Sequence, residues 1–228
     1  DWTPMVNIAY DWNNELMTYF TYSEGFKSGG VQQRIAGPFG FAPTYDPEFV
    51  TSYEVGFKYN NDAGNFTLNV AAFYVDYSDI QLETIDPNGG IAPQLQNSGI
   101  GEVKGLEVEM RWSPLDTWFV ETALGHLDTE ITTADATQVG GPAVGDRFPH
   151  VSKWSGSVSV IKEIGLGDNG ILTPRLDYSY RTKVLFSPDN NPRNAQKSYG
   201  LMNASLGYVS ANDKYSLNFY VNNIFDTD

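Results

Sequence analysis

Cysteine is absent from the 228 residues, so neither disulfides nor cysteine-bound metals can brace this chain. Basic residues are scarce. Fourteen Lys and Arg face 28 Asp and Glu, and the net charge of -14 removes the cationic surface that nucleic acid requires. Long apolar runs are missing too. The longest, 68–75, is interrupted by Asn69 and falls short of the roughly 20 residues of a spanning helix. A mean hydropathy of -0.34 also argues against a helical membrane protein. The first residues carry no charged-then-apolar leader, which suggests a chain that begins inside something larger.

Catalytic and metal chemistry is equally thin. His126 and His150 lack the spacing of a ligand pair, and both read as wall or rim residues. Asp76, Asp79 and Glu83 form an acidic patch without the loop of a dedicated calcium site. The glycine pairs at 89–90 and 140–141 precede no helix, unlike a phosphate cradle. No enzyme, metal or cofactor is expected.

What is plentiful is the material of strands and turns. Fourteen Tyr, 13 Phe and 5 Trp suit pleated faces, and 22 Gly suit turns and bulges. Alternation is the dominant pattern. Val103, Leu106, Val108, Met110 and Trp112 interleave with Lys104, Glu107, Glu109 and Arg111. Tyr53, Val55, Phe57 and Tyr59 oppose Ser52, Glu54, Gly56 and Lys58; Leu172, Leu176, Tyr178 and Tyr180 oppose Arg175, Asp177, Ser179 and Arg181. Trp154, Val158 and Val160 oppose three serines, and Tyr215, Leu217, Phe219 and Val221 oppose Ser216, Asn218 and Asn222.

The pattern predicts ten strands at 2–12, 15–26, 48–59, 66–84, 97–112, 117–130, 150–163, 171–185, 198–209 and 215–225. Short connections (13–14, 60–65, 113–116, 164–170, 210–214) alternate with long ones (27–47, 85–96, 131–149, 186–197). Strands this long, with a tight link at every second connection, predict an all-β, transmembrane, antiparallel up-and-down barrel. A soluble sandwich would use shorter strands and sheet-crossing links. Apolar sets are expected to face lipid and polar sets the lumen. Trp12, Tyr59, Phe66, Trp112, Trp118, Tyr208 and Tyr215 border the short turns, as an aromatic girdle would.

Five segments, in order, resemble TonB-dependent outer-membrane receptors: YSEGFKSGG at 22–30, PEFVTSYEVGFK at 47–58, NSGIGEVKGLEVEMRWSP at 97–114, GDRFP at 145–149 followed by Trp154, and NFYVNNIFD at 218–226. The resemblance covers nearly the whole chain, so residues 1–228 are expected to form part of that family's β-barrel domain. It implies a 22-stranded barrel filled by a plug, of which about ten strands, twelve to twenty-one, are expected here. The plug and the TonB-contacting segment are expected in missing chain. The function implied is active uptake, in the bacterial outer membrane, of a ferric siderophore or similar large nutrient. Its partners would be outer-membrane lipid, TonB and the receptor's own plug. A passive porin or small complete barrel is the alternative.

On this reading Glu54, Lys58, Glu107, Glu109, Arg111, Glu121, Arg175, Asp177 and Arg181 face the lumen and the plug. Arg34, Phe39, Phe41, Tyr45, Arg147, Phe148, Phe186 and Arg193 are the loop candidates for ligand, since anionic chelates call for guanidinium groups and aromatic stacking.

Overall fold

A computed structural model describes residues 2–32, 44–85 and 93–227. The chain opens with β1 (Met5–Asp11), β2 (Leu16–Lys27), β3 (Gly30–Val31), β4 (Thr44–Tyr45), β5 (Glu48–Asn60) and β6 (Phe66–Ser78). It continues through β7 (Gln81–Thr84), β8 (Gln94–Asn97), β9 (Gly99–Leu115), β10 (Trp118–Ala134) and β11 (Trp154–Lys162). It ends with β12 (Ile164–Gly165), β13 (Ile171–Arg181), β14 (Val184–Leu185), β15 (Ala195–Gln196), β16 (Tyr199–Val209) and β17 (Ser216–Val221).

Ten of these make one antiparallel meander in the order β1-β2-β5-β6-β9-β10-β11-β13-β16-β17. Each long strand pairs with its sequence neighbours, as short links dictate. The ten expected strands are all present, with revised ends. The strand expected over 66–84 stops at Ser78, because Asp79 takes φ 56° and turns the chain into a separate hairpin, β7–β8. That expected over 150–163 begins only at Trp154, after His150 at φ 64°. The strand expected over 171–185 ends at Arg181. β9 and β10 run longer than expected and leave only residues 116–117 as their turn.

Register decides which residues share a face. One row across the sheet reads Phe57, Val70, Val108 and Leu124; its neighbour reads Lys58, Asn69, Glu109 and Ala123. The apolar face carries Val55, Leu106, Met110, Val160, Leu176, Leu206 and Phe219 along its length. A one-layer wall cannot bury such residues against itself. Among those described, the buried apolar residues besides glycine are Ile80, Ile131, Pro142 and Val184, while Leu217 and Phe219 are 56% and 67% exposed. On β9 the outward apolar run lasts from Trp112 to Leu106, and charge begins at Lys104. The eight strand steps from Trp112 to Lys104, tilted by 35–45°, span about 20 Å of depth, close to the apolar band of an outer-membrane barrel.

Aromatic rings mark both borders. Tyr10 and Trp12 meet edge-on at 4.9 Å, and Tyr59 meets Phe66 at 6.1 Å, at the short-turn end. At the other end Tyr22 and Tyr53 lie 5.3 Å apart, and Tyr74 stands beside Tyr53 in the same row. The two expected wall histidines are packing residues: His126 lies 4.3 Å from Trp154, and His150 lies 5.6 Å from Phe186.

The long connections are tied to one another. The buried Gln81 side-chain amide donates to the carbonyls of Ser28 at 3.1 Å and Asp46 at 3.0 Å, so β7 clamps the segment entering β5. Gln138 donates to the Asn97 carbonyl at 3.0 Å, and Ile85 bridges Val139. The Asp135 carboxylate orders the turn carrying Gln138, accepting the Thr137 N–H at 2.9 Å and its hydroxyl at 2.7 Å.

Replacing Val108 by Arg places a charge near the centre of the apolar band and is expected to cost about 2–4 kcal/mol. Met17→Arg, at the same depth on the polar face and paired with Asp11 and Lys58, is expected to change stability by within about 0.5 kcal/mol. Urea unfolding of the protein in liposomes measures both. The two Thr137 hydrogen bonds also hold the Asp135 carboxyl below its usual range. A depressed folded-state pKa means that its stabilisation is complete above the unfolded value and fades as pH falls through the folded one. Hydrogen exchange at residues 135–139 should therefore accelerate below about pH 4, and Asp135→Asn should remove that dependence.

Candidate functional site

All nine residues expected on the lumen side share the polar face, brought together from four strands by register alone. Glu54 and Lys58 come from β5, Glu107, Glu109 and Arg111 from β9, Glu121 from β10, and Arg175, Asp177 and Arg181 from β13. Several are satisfied within the wall. The Tyr19 hydroxyl donates to Glu54 at 2.7 Å, and the Lys58 ammonium stands 6.0 Å from the Tyr19 ring centre. Arg175 Nε donates to both carboxylate oxygens of Asp177, at 2.8 and 2.9 Å, and the Ser159 hydroxyl donates to Asp177 at 2.5 Å. Arg111 and Glu121 approach to 3.6 Å, a pair open to water and worth about 0–1 kcal/mol.

Two charges are left over. Glu107 and Arg181 make no hydrogen bond or ion pair among the described residues, and Glu109 has only the Asn69 amide, at 3.5 Å. Between these groups the wall is worn down to small side chains. One row runs Glu109, Ala123, Ser157, Ser179, Leu201; the next runs Glu107, Gly125, Ser155, Arg181, Tyr199. The result is a trough of about 570 Å³, floored by Ala123, Gly125, Ser155, Ser157 and Ser179. Two carboxylates form one bank. Arg181, three strand steps or about 14 Å away, forms the other. A trough with opposite charge on opposite banks is shaped to receive a polar body that carries complementary charge.

A second cavity, of about 520 Å³, adjoins the first by sharing Arg181, Tyr199 and Leu201, and it reaches His150 and Phe186 in the long connections. Of the loop candidates among the described residues, Phe186 alone lines it. Arg34, Phe39 and Phe41 lie outside the described residues. Tyr45 covers Gly30 with its ring, and Arg193 sits in an exposed turn where its N–H donates to Asn191 at 3.0 Å. Phe148 is held against the wall: its ring meets Tyr77 edge-on at 5.5 Å and lies over Gly101, where any side chain would collide. Arg147 is fixed by its backbone, donating to Asn190 at 3.0 Å and accepting from it at 2.8 Å. Its Nε and Nη2 are buried without a hydrogen-bond partner. Sequence reasoning missed Tyr19 and Asn69, whose signal was their parity with neighbours of the opposite polarity.

The family described as TonB dependent receptor-like, beta-barrel matches residues 1–224. The pesticin receptor of Yersinia pestis is 27% identical over 225 residues, covering 97% of this chain. A ferric-pyoverdine 358 receptor of Pseudomonas putida is 30% identical over 131 residues, which is 56% of this chain and 15% of that protein. Among solved structures, the ferric yersiniabactin uptake receptor FyuA from Yersinia pestis superposes with a TM-score of 0.79 at 25% identity, over 98% of this chain and 32% of that one. The ferric preacinetobactin receptor BauA from Acinetobacter baumannii shares the fold, with a TM-score of 0.74 at 19% identity over 99% of this chain and 32% of its own. This chain spans 31% of the length of the pesticin receptor. The match along the whole sheet makes this chain a member of the TonB-dependent receptor β-barrel family of the bacterial outer membrane.

Proposed function

We propose that residues 1–228 are one part of a 22-stranded barrel that encloses a plug and imports a ferric siderophore or similar large nutrient, driven through TonB. The observation that carries this reading is the trough. Its banks hold Glu107 and Glu109 opposite Arg181, without partners enough in the wall, as expected where a folded plug supplies the missing charges. A water-filled porin has no need of a docking surface. The relatives named above include receptors named for pesticin, ferric pyoverdine and ferric yersiniabactin, which supports a ferric ligand. The barrel's part is binding, positioning and passage, with no covalent chemistry.

On this reading the chelate is held by the long connections. Arg147, Phe186 and Arg193, with Tyr45 and the candidates Arg34, Phe39 and Phe41, supply cationic and aromatic contacts. Phe148 acts through the wall, holding the 145–148 segment in place.

Expression of the full-length receptor in a strain lacking its own siderophore receptors should restore iron-limited growth on one class within a panel of ferric siderophores. The same strain without TonB should not grow. Equal growth without TonB would identify passive entry and overturn the reading. Glu107→Gln combined with Glu109→Gln should loosen the plug by about 1.5–3 kcal/mol for each charge-assisted bond lost. It should admit a large antibiotic normally excluded, while barrel heat resistance stays unchanged.

A further inference from the structure

The lipid face is not smooth. Where β11, β13, β16 and β17 approach the short turns, Pro174 and Ala204 present little side chain, while Trp118, Leu176, Leu206 and Phe219 stand around them. These residues enclose an outward groove of about 910 Å³, floored in part by strand backbone. Lys162 falls between the pairs Ile161–Arg175 and Ile164–Leu172, which sets it level with Pro174, Leu206 and Phe219, and it pairs with Trp118. Its ammonium lies 4.8 Å from the Trp118 ring centre and donates to the Thr117 hydroxyl at 2.6 Å. It has no carboxylate partner among the described residues.

We propose that this groove holds a phospholipid of the periplasmic leaflet, with an acyl chain along the groove and its phosphate on Lys162. Short turns of outer-membrane barrels lie on the periplasmic side, so Lys162 and Trp118 stand at the headgroup level of that leaflet. The groove continues the surface that already meets hydrocarbon, which fixes the occupant of its apolar part as an acyl chain. The cation at its rim fixes the head as anionic. The ammonium is free to take an oxygen because a hydroxyl and a ring, not a carboxylate, now position it. A bulky residue at 204 would fill the groove without touching the cation. Substitution at 162 would remove the cation without filling the groove.

The test is native mass spectrometry of the full-length receptor, extracted from outer membranes in mild detergent and titrated with phosphatidylglycerol. The parent should retain one phospholipid per barrel. Lys162→Gln should lower retention about tenfold, the loss of one charge-assisted hydrogen bond. Ala204→Phe should lower it as well, while Lys214→Gln, at another short turn, should leave it unchanged. Heat-modifiable migration reports whether each variant has folded, and Lys162→Gln decides alone if Ala204→Phe has not. A parent without retained phospholipid, or equal retention by parent and Lys162→Gln, would overturn the proposal.

Discussion

Backbone hydrogen bonding between sequence-adjacent strands is the constraint on which the rest of this structure depends. In hydrocarbon no water satisfies a free N–H or carbonyl, so a spanning sheet must pair each strand on both sides. The meander does this with the shortest available links on one side of the membrane. Pairing also fixes register, and register fixes faces: a slip of one residue on β9 would turn Glu107 and Glu109 to lipid and Val108 to water. The strength of the wall and the chemistry of its inner surface thus come from the same ladder of bonds.

That coupling explains why the polar face bears a defined site although few of the described residues are buried. Glu107 on β9, Gly125 on β10, Ser155 on β11 and Arg181 on β13 are far apart in sequence but occupy one row. Small residues between charged ones make a trough, not a general polarity. The pairs that the wall does complete, Arg175 with Asp177 and Tyr19 with Glu54, lie outside that trough. The unpaired groups lie on its banks, where a docked body would meet them.

Much of this was legible in the sequence because strand geometry has a period of two and lipid enforces it. The ten strands follow from alternation, and so does the sharing of one polar face by the nine charged residues. What escaped has a physical cause in each case. Tyr19, Phe73 and Tyr77 look lipid-facing by polarity, yet they lie on the polar face. Tyr19 and Phe73 cover Gly56 and Gly105, while Tyr77 supports Phe148 over Gly101. The break between β6 and β7 is hidden because Asp79 makes a single backbone turn, and β8 lies within what reads as a long connection. The loop contacts were illegible because partners such as Gln81 and Asp46, or Arg147 and Asn190, are brought together only by the folded wall.

The central claim is that alternate residues of these strands face lipid and the lumen. Single cysteines placed along β9 of the full-length receptor, in a chain segment that has none of its own, test it directly. Spin labels at 106, 108 and 110 should collide preferentially with oxygen dissolved in the bilayer. Labels at 107, 109 and 111 should be shielded from it, in a clean period of two. Equal oxygen access at odd and even positions, or the opposite phase, would contradict the account.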